Sequence, residues 1–355
     1  MSDPRPAEHA KIIVNHSCKV KKGDFVLIVA SSEANELIRE IVSQIGILGA
    51  HYIVMSNESS FGRAYTLSAD DETLSTLPSQ MHNLVRDSDV LIQIIASSNS
   101  QEMSDVPPRK MQLVSRAQGP VTSMIQSKRW NITLHPTRAL AQDAKMSFES
   151  YTDFVYSATL RDWPKMVSEM NVLYDKLVSS RRVRIVGKET DISFSIEGRK
   201  PIVDGGEKNL PGGEVFVSPV DSTVNGKVYF DLPIIFNSRE IRGARLSFKN
   251  GVVVESSAEE GQEFLREMLA ADEGARRLGE LGIGMNRGIN RFTKNILFDE
   301  KMGDTIHMAV GLSFEESGGT NKSAIHIDMI KRMKEEGTIY FDDSPIYSNG
   351  KFAWE

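Results

Sequence analysis

The sequence predicts two domains. The first is an α/β domain over residues 1–180 with a mainly parallel sheet, and the second is a β-rich α+β domain over residues 181–355. Three observations lead there. At 355 residues the chain exceeds one ordinary domain of roughly 100–200 residues. Between Asp24 and Thr133 short apolar runs alternate with amphipathic stretches at helical spacing, the grammar of a parallel sheet covered by helices. After Arg181 that alternation gives way to short strand-like segments joined by turn residues.

In the first domain, Phe25–Ala30 (FVLIVA) suits a strand buried on both faces. Glu33–Ile47 reads as a helix with Leu37, Ile41, Ile45 and Leu48 on one face. Tyr52–Met55 is a second strand, Glu72–Arg86 a helix and Asp89–Ala96 a third strand. Pro107-Pro108 opens a helix to Gln126, and Trp130–Leu134 closes the pattern. The turn after Phe25–Ala30, Ser31-Ser32-Glu33-Ala34-Asn35, lacks the glycines that bring backbone against a pyrophosphate, and no Walker-type loop occurs. The first domain is therefore expected to be scaffold, with a helical connector from Met146 to Ser179 in which Pro164 sits in a first helical turn.

In the second domain Val183–Val186, Thr190–Ile196, Gly226–Asp231, Ile241–Phe248 and Val252–Glu255 alternate as strands. Asn250-Gly251 joins the last two, a strong hairpin signal. One helical region, Glu259 to Gly279, interrupts them.

Composition excludes several classes. A single cysteine, Cys18, rules out a disulfide scaffold or a cysteine-built zinc site and fits a reducing compartment. A formal charge of -6 gives no electrostatic footprint for nucleic acid or anionic lipid. No apolar run reaches the roughly 18–20 residues that span a bilayer. Asp3, Arg5, Glu8 and two prolines interrupt the start, where a secretory signal needs apolar residues. A cytoplasmic protein binding neither nucleic acid nor membrane is expected.

The residues able to carry chemistry cluster in the second domain. His326 and Asp328, in Ala324-Ile325-His326-Ile327-Asp328, share one face of a strand and could present two ligands to a metal ion. Alone, the pair fits a structural hydrogen bond as well. His307 lies in another apolar strand, Thr305–Val310. Glu300 follows Asp299 at the end of the apolar run Asn295–Phe298. Glu214 follows Pro211-Gly212-Gly213, where glycines let backbone pass close to a ligand. Glu280 follows Gly274–Gly279, and spacing alone leaves it equally readable as a solvated helix end.

Four segments carry a resemblance: PGGEVFVSPVDSTVNG (Pro211–Gly226), DEGARRLGELGIGMN (Asp272–Asn286), NILFDEKMGDTIHMAVG (Asn295–Gly311) and ESGGTNKSAIHIDMI (Glu316–Ile330). In this order they resemble the thermophilic aminopeptidases, the aminopeptidase T or M29 metallopeptidases. WNITLHPT (Trp130–Thr137) and Ser147–Met166 add weaker similarity. The resemblance implies a homodimeric hydrolase that removes the N-terminal residue of a peptide at two divalent ions of zinc, cobalt or manganese. It implies Glu214, Glu280, Glu300, His307, His326 and Asp328 as ligands, with Glu214 and Glu280 also candidates for proton transfer around a metal-bridged water. Two dications would offset most of the net charge of -6.

Two departures stand out against that family. Its members usually carry tyrosine where this chain has Phe314, and the interval between His307 and His326 is short, which trims a loop near the site. The first leaves a catalytically weakened metal-binding relative as an alternative. The second alternative comes from another reaction class, the 2,5-dihydroxypyridine dioxygenases, which the resemblance places on the same fold with one iron. Those enzymes lack the Gly-Gly-Glu carboxylate and carry a histidine near Leu281–Met285, whereas this chain keeps Glu214 and has no histidine there.

Overall fold

The structure is a computed structural model that describes residues 3–236 and 239–355. The chain divides into two compact units. One runs to Arg161 and takes in Gly206–Gly212, and the other comprises Asp162–Gly205 and Gly213–Glu355.

The first unit opens with helix α1 (Arg5–Lys11). It continues through β1 (Phe25–Ala30), α2 (Asn35–Leu48), β2 (His51–Ser56), α3 (Ser59–Ser68), α4 (Asp71–Leu74), α5 (Ser79–Asp87), β3 (Val90–Ile95), α6 (Pro108–Gln126), β4 (Arg129–Leu134), α7 (Arg138–Asp143) and α8 (Phe148–Thr159). The strands pair in parallel in the order β2-β1-β3-β4, and Asn209–Leu210 adds beside β4. Central position explains the apolar run of β1, since Val26, Leu27 and Ile28 have no exposed surface. Leu37, Ile38, Ile41 and Ile45 form the buried face of α2, which ends at Gly49 in the left-handed conformation (φ 71°). On the far side Val121, Met124 and Ile125 of α6 pack on Leu27, Val85 and Leu91.

Two expectations change here. The single helix over Glu72–Arg86 is two helices, α4 and α5, because Pro78 disfavours helical backbone at the residue before it and instead begins α5. The helix α3, with only Thr66 buried, was not expected, since it lacks a continuous apolar face.

The second unit begins with α9 (Trp163–Val178), which the expected boundary after residue 180 assigned to the first domain. It continues with β5 (Arg182–Gly187), β6 (Thr190–Ser195) and β7 (Ile202–Asp204); Asn209–Leu210 (β8) belongs to the first unit. Then follow β9 (Glu214–Val217), β10 (Asn225–Phe230), β11 (Ile234–Phe236), β12 (Arg239–Ile241), β13 (Ala244–Lys249), β14 (Val252–Ser257), α10 (Gln262–Leu269), β15 (Leu278–Gly284), α11 (Ile296–Asp299), β16 (Thr305–Gly311), β17 (His326–Arg332), β18 (Thr338–Phe341), β19 (Ser344–Ser348) and β20 (Lys351–Phe352). An eight-stranded sheet runs β14-β13-β10-β6-β5-β18-β19-β20, and a five-stranded antiparallel sheet runs β17-β16-β15-β9-β7.

Asn250 and Gly251 both take positive φ (50° and 83°) at the β13–β14 hairpin, as that turn requires. A side chain at Gly251 would also lie 2.0 Å from the Asp221 carbonyl oxygen. The expected strand Ile241–Phe248 is interrupted at Gly243 (φ 61°) into β12 and β13. The expected helix over Glu259–Gly279 stops at Leu269. Asp272 there accepts the backbone N–H groups of Ala275 and Ala324, so the backbone turns away and enters β15 at Leu278.

Two buried histidines, His9 and His135, shape the acid response of the first unit, and burial pushes His135 down to about 4. Thr133 Oγ1 donates to the Leu210 carbonyl at 2.8 Å, so its oxygen accepts from His9 Nε2–H, also at 2.8 Å. His9 is fully buried, and burial together with the nearby His135 pushes its pKa down to about 3. An unfolded histidine titrates near 6.5, so below that pH the unfolded chain binds a proton that the folded chain refuses. Stability is full above about pH 6.5 and falls by on the order of 1 kcal/mol per pH unit towards pH 3. Urea titrations of His9→Gln across this range should show a shallower acid slope than the wild-type chain, and equal slopes would refute the assignment.

Candidate metal centre

The five-stranded sheet of the second unit places the candidate residues on one face. Glu280 stands on β15, His307 opposite Gly282 on β16, and Glu214 opposite Gly284 on β9. Asp328 pairs with Ala309 and His326 with Gly311 across β16–β17. Because side chains alternate along a strand, His326 and Asp328 emerge together. A register irregularity between Leu278 and Glu280 adjusts β15 where its carboxylate leaves the sheet. Gly282 is a glycine because the His307 ring lies across it: an added Cβ would sit 1.9 Å from His307 Cε1.

All six sequence-predicted residues meet in one network. Glu280, His307 and Asp328 each offer a ligand atom within 4.8 Å of the others. His307 Nε2 lies 3.4 Å from both Glu214 Oε2 and Glu280 Oε1. His326 Nε2 lies 3.1 Å from Glu280 Oε2 and 3.5 Å from Asp328 Oδ1. Glu300 joins through Lys301, whose ammonium it contacts directly. Glu280 is therefore not a solvated helix end but a strand residue with its side chain 5% exposed.

Hydrogen bonds outside this ring decide which nitrogen faces inward. His307 Nδ1–H donates to the Glu300 carbonyl at 2.9 Å, and His326 Nδ1–H to the Leu312 carbonyl at 2.7 Å. Nε2 of each ring therefore faces carboxylates, where either a proton on Nε2 or a cation bound to its lone pair meets their charge. The spacings favour the cation. Charge-assisted N–H···O pairs close to about 2.7–2.9 Å, whereas two ligand atoms about 2.1 Å from one ion at a tetrahedral angle lie about 3.4 Å apart. Glu214 Oε2 and Asp328 Oδ1 are moreover buried and accept no hydrogen bond.

Charge points the same way. Glu214, Glu300 and Asp204 face one ammonium, Lys301, while Glu280 and Asp328 face the two imidazoles, so the positive charge this dry region needs comes from Lys301 and from protons on the histidines or a cation in their place. Burial opposes a proton on His307, yet Glu214 and Glu280 raise its pKa to about 10. Asp328 and Glu280 overcome burial at His326 and raise it to about 11. The residues thus fit divalent metal in donor type, tautomer, spacing and charge.

Sequence reasoning missed two members. Lys301 has no exposed surface and places Nζ 3.4 Å from Glu214 and 3.7 Å from Asp204. Its signal was a lysine inside the otherwise apolar and acidic stretch Asn295–Met302. Asp204 becomes visible only through the pairing of β7 with β9, where it stands opposite Glu214. The glycine turn before Glu214 has a structural cause within the chain: Gly213 (φ 114°) passes close to Asn286, with an added Cβ 2.6 Å from Asn286 Cβ. Asp299, next to Glu300, turns away to accept Thr293 N–H and Oγ1–H, and burial raises its pKa to about 7. Phe314 lies at the centre itself, its ring 5.1 Å from that of His326 and 5.3 Å from that of Phe216.

A metal-ready sheet of this kind can be compared with known proteins. The family model described as thermophilic metalloprotease (M29) matches residues 3–352. The chain belongs to that family. M29 membership makes it a hydrolase and implies divalent metal. Among curated M29 relatives, Aminopeptidase 2 of Geobacillus stearothermophilus is 25% identical, with 98% of this chain and 97% of the relative covered. Aminopeptidase T of Thermus thermophilus is also 25% identical, over 96% and 94%. Wild-type AmpT from Thermus thermophilus superposes with a TM-score of 0.86 at 22% identity, covering 98% of this chain and 99% of that one. The fold also extends to 2,5-dihydroxypyridine dioxygenase from Pseudomonas putida KT2440, at TM-score 0.63 and 14% identity, over 100% and 99%.

Two variants test the centre. Gly282→Ala should displace the His307 ring and lower metal affinity at least about tenfold, as loss of a ligand's orientation does. His326→Ala should leave the circular dichroism spectrum unchanged while reducing bound metal, measured by plasma mass spectrometry after desalting. Undiminished metal in both would refute the assignment.

Proposed function

We propose that this M29 protein is a metal-dependent aminopeptidase. The observation that carries the reading is the convergence of Glu214, Glu280, Asp328 and two imidazole Nε2 atoms on one sheet face, with Glu300 joined to them through Lys301. The relatives named as aminopeptidases over nearly their whole length support it.

Divalent ions, two by the resemblance and of zinc, cobalt or manganese type, would be held by Glu214, Glu280, Glu300, His307, His326 and Asp328. When bound they would supply Lewis-acid polarisation of the scissile carbonyl and acidification of a shared water. The chain's own residues do the rest. The Glu300 and Leu312 carbonyls keep His307 and His326 oriented with Nε2 inward. Glu214 and Glu280 carry the proton transfer. Burial holds the Glu214 carboxyl above its ordinary range despite Lys301 and His307, while the His307 and His326 contacts outweigh burial at Glu280 and hold it below. Phe314 supplies apolar surface beside His326 but no donor for a developing oxyanion.

The oxygenase alternative gains only a shared fold, since Glu214 is present at the centre and Leu281–Met285 holds no histidine. The homodimer implied by the resemblance is part of the proposal, and light scattering coupled to size exclusion checks it.

Metal-loaded protein should hydrolyse leucine 4-nitroanilide, lose activity with chelator, regain it with added cobalt or manganese, and leave an N-acetylated peptide intact. A tightly bound iron without peptidase activity would refute this reading. Phe314→Tyr, by adding a donor beside the centre, should raise kcat by up to roughly 10²- to 10³-fold, and an unchanged kcat would show that no donor is missing at that position.

A further inference from the structure

The demand for positive charge at the centre is met unevenly. On one side Glu280, His307, His326 and Asp328 face one another, and among the described residues no ammonium contacts them. On the other, Lys301 contacts Glu300 and stands 3.4 Å from Glu214 and 3.7 Å from Asp204. His307 Nε2, at 3.4 Å from both Glu214 and Glu280, lies between the two halves. We propose that Lys301 stands in for a second metal ion: its ammonium holds the Glu214–Glu300 half, so that one divalent ion binds tightly on Glu280, His307, His326 and Asp328 and a second binds only by drawing those carboxylates away from the lysine. The inference rests on the metallopeptidase reading and assigns unequal standing to the two ions.

The lysine is built in rather than incidental. Its backbone N–H donates to the Phe298 carbonyl at 3.0 Å, and its carbonyl accepts the Asn286 N–H at 3.1 Å. Gly284 passes so close beneath that an added Cβ would lie 3.0 Å from the Lys301 carbonyl carbon. The whole side chain is buried, so the ammonium has no route to water that leaves its neighbours in place. Moving the carboxylates to a metal would strand a buried ammonium, which is costly. A dication held by the same carboxylates would also be repelled by the Lys301 ammonium, which weakens the second ion further.

The test is a cobalt(II) titration of the metal-free full-length chain, followed by d–d absorption and calorimetry, with ions counted by plasma mass spectrometry after desalting. Wild type should retain one ion, with the second binding at least about 10²-fold more weakly. Lys301→Gln should retain two, and Lys301→Arg, which keeps the charge, should retain one. Two ions of similar affinity in wild type, or one ion in Lys301→Gln, would overturn the proposal. Should Lys301→Gln fail to fold, the wild-type titration decides by itself. A wild-type chain that binds no cobalt would instead overturn the metallopeptidase reading on which this inference rests.

Discussion

Everything at the centre follows from bringing several carboxylates onto one dry sheet face. Carboxylates in such a place are tolerated only when positive charge meets them at close range. In this protein Lys301 meets some of it, and two histidines turn their free nitrogens towards the rest. The interior of the second unit is organised to hold that balance. Strands β15 and β16 are buried along their whole lengths, so the carboxylate and imidazole they carry are removed from bulk water. Backbone carbonyls at Glu300 and Leu312 hold the outward edges of the histidines in one tautomer.

Glycine has two separable roles around this face. At Gly282 it provides room for the His307 ring, and at Gly284 for the chain carrying Lys301. At Gly213 a positive φ and the approach of Asn286 both demand it, and the consequence is the direction in which Glu214 enters β9. The glycines that read as a helix end, Gly279, Gly282 and Gly284, are thus parts of β15, whose neighbours come close. Phe314 shows the opposite economy. Its ring fills space against His326 and Phe216 and brings no hydroxyl to the centre.

Much of this was legible in the sequence. The strands Phe25–Ala30, Asp89–Ala96 and Trp130–Leu134 and the helix Pro107–Gln126 lie within a residue or two of their expected positions, because buried parallel strands and proline-capped helices leave strong local signatures. His326 and Asp328 could be placed on one face because strand periodicity is two. The errors arose where local pattern and tertiary context disagree. Glu259–Gly279 has helical composition, but Asp272 binds backbone from the segment before β17 and ends the helix early. Glu72–Arg86 has a helical pattern, but Pro78 breaks it.

The residue types of the centre, their order and their strand phase were determined by the sequence alone, since these depend on neighbours along the chain. Tertiary structure decided which charges share a space. Asp204 meets Glu214 only through the pairing of β7 with β9, and Lys301 reaches three carboxylates only because α11 leads into a segment held against β15 and Asn286. The physical reason is that electrostatics at a buried site depends on distance through the fold rather than on separation along the chain. A lysine that reads as one more surface charge in the sequence becomes, in the folded protein, the cation that a metal must contend with.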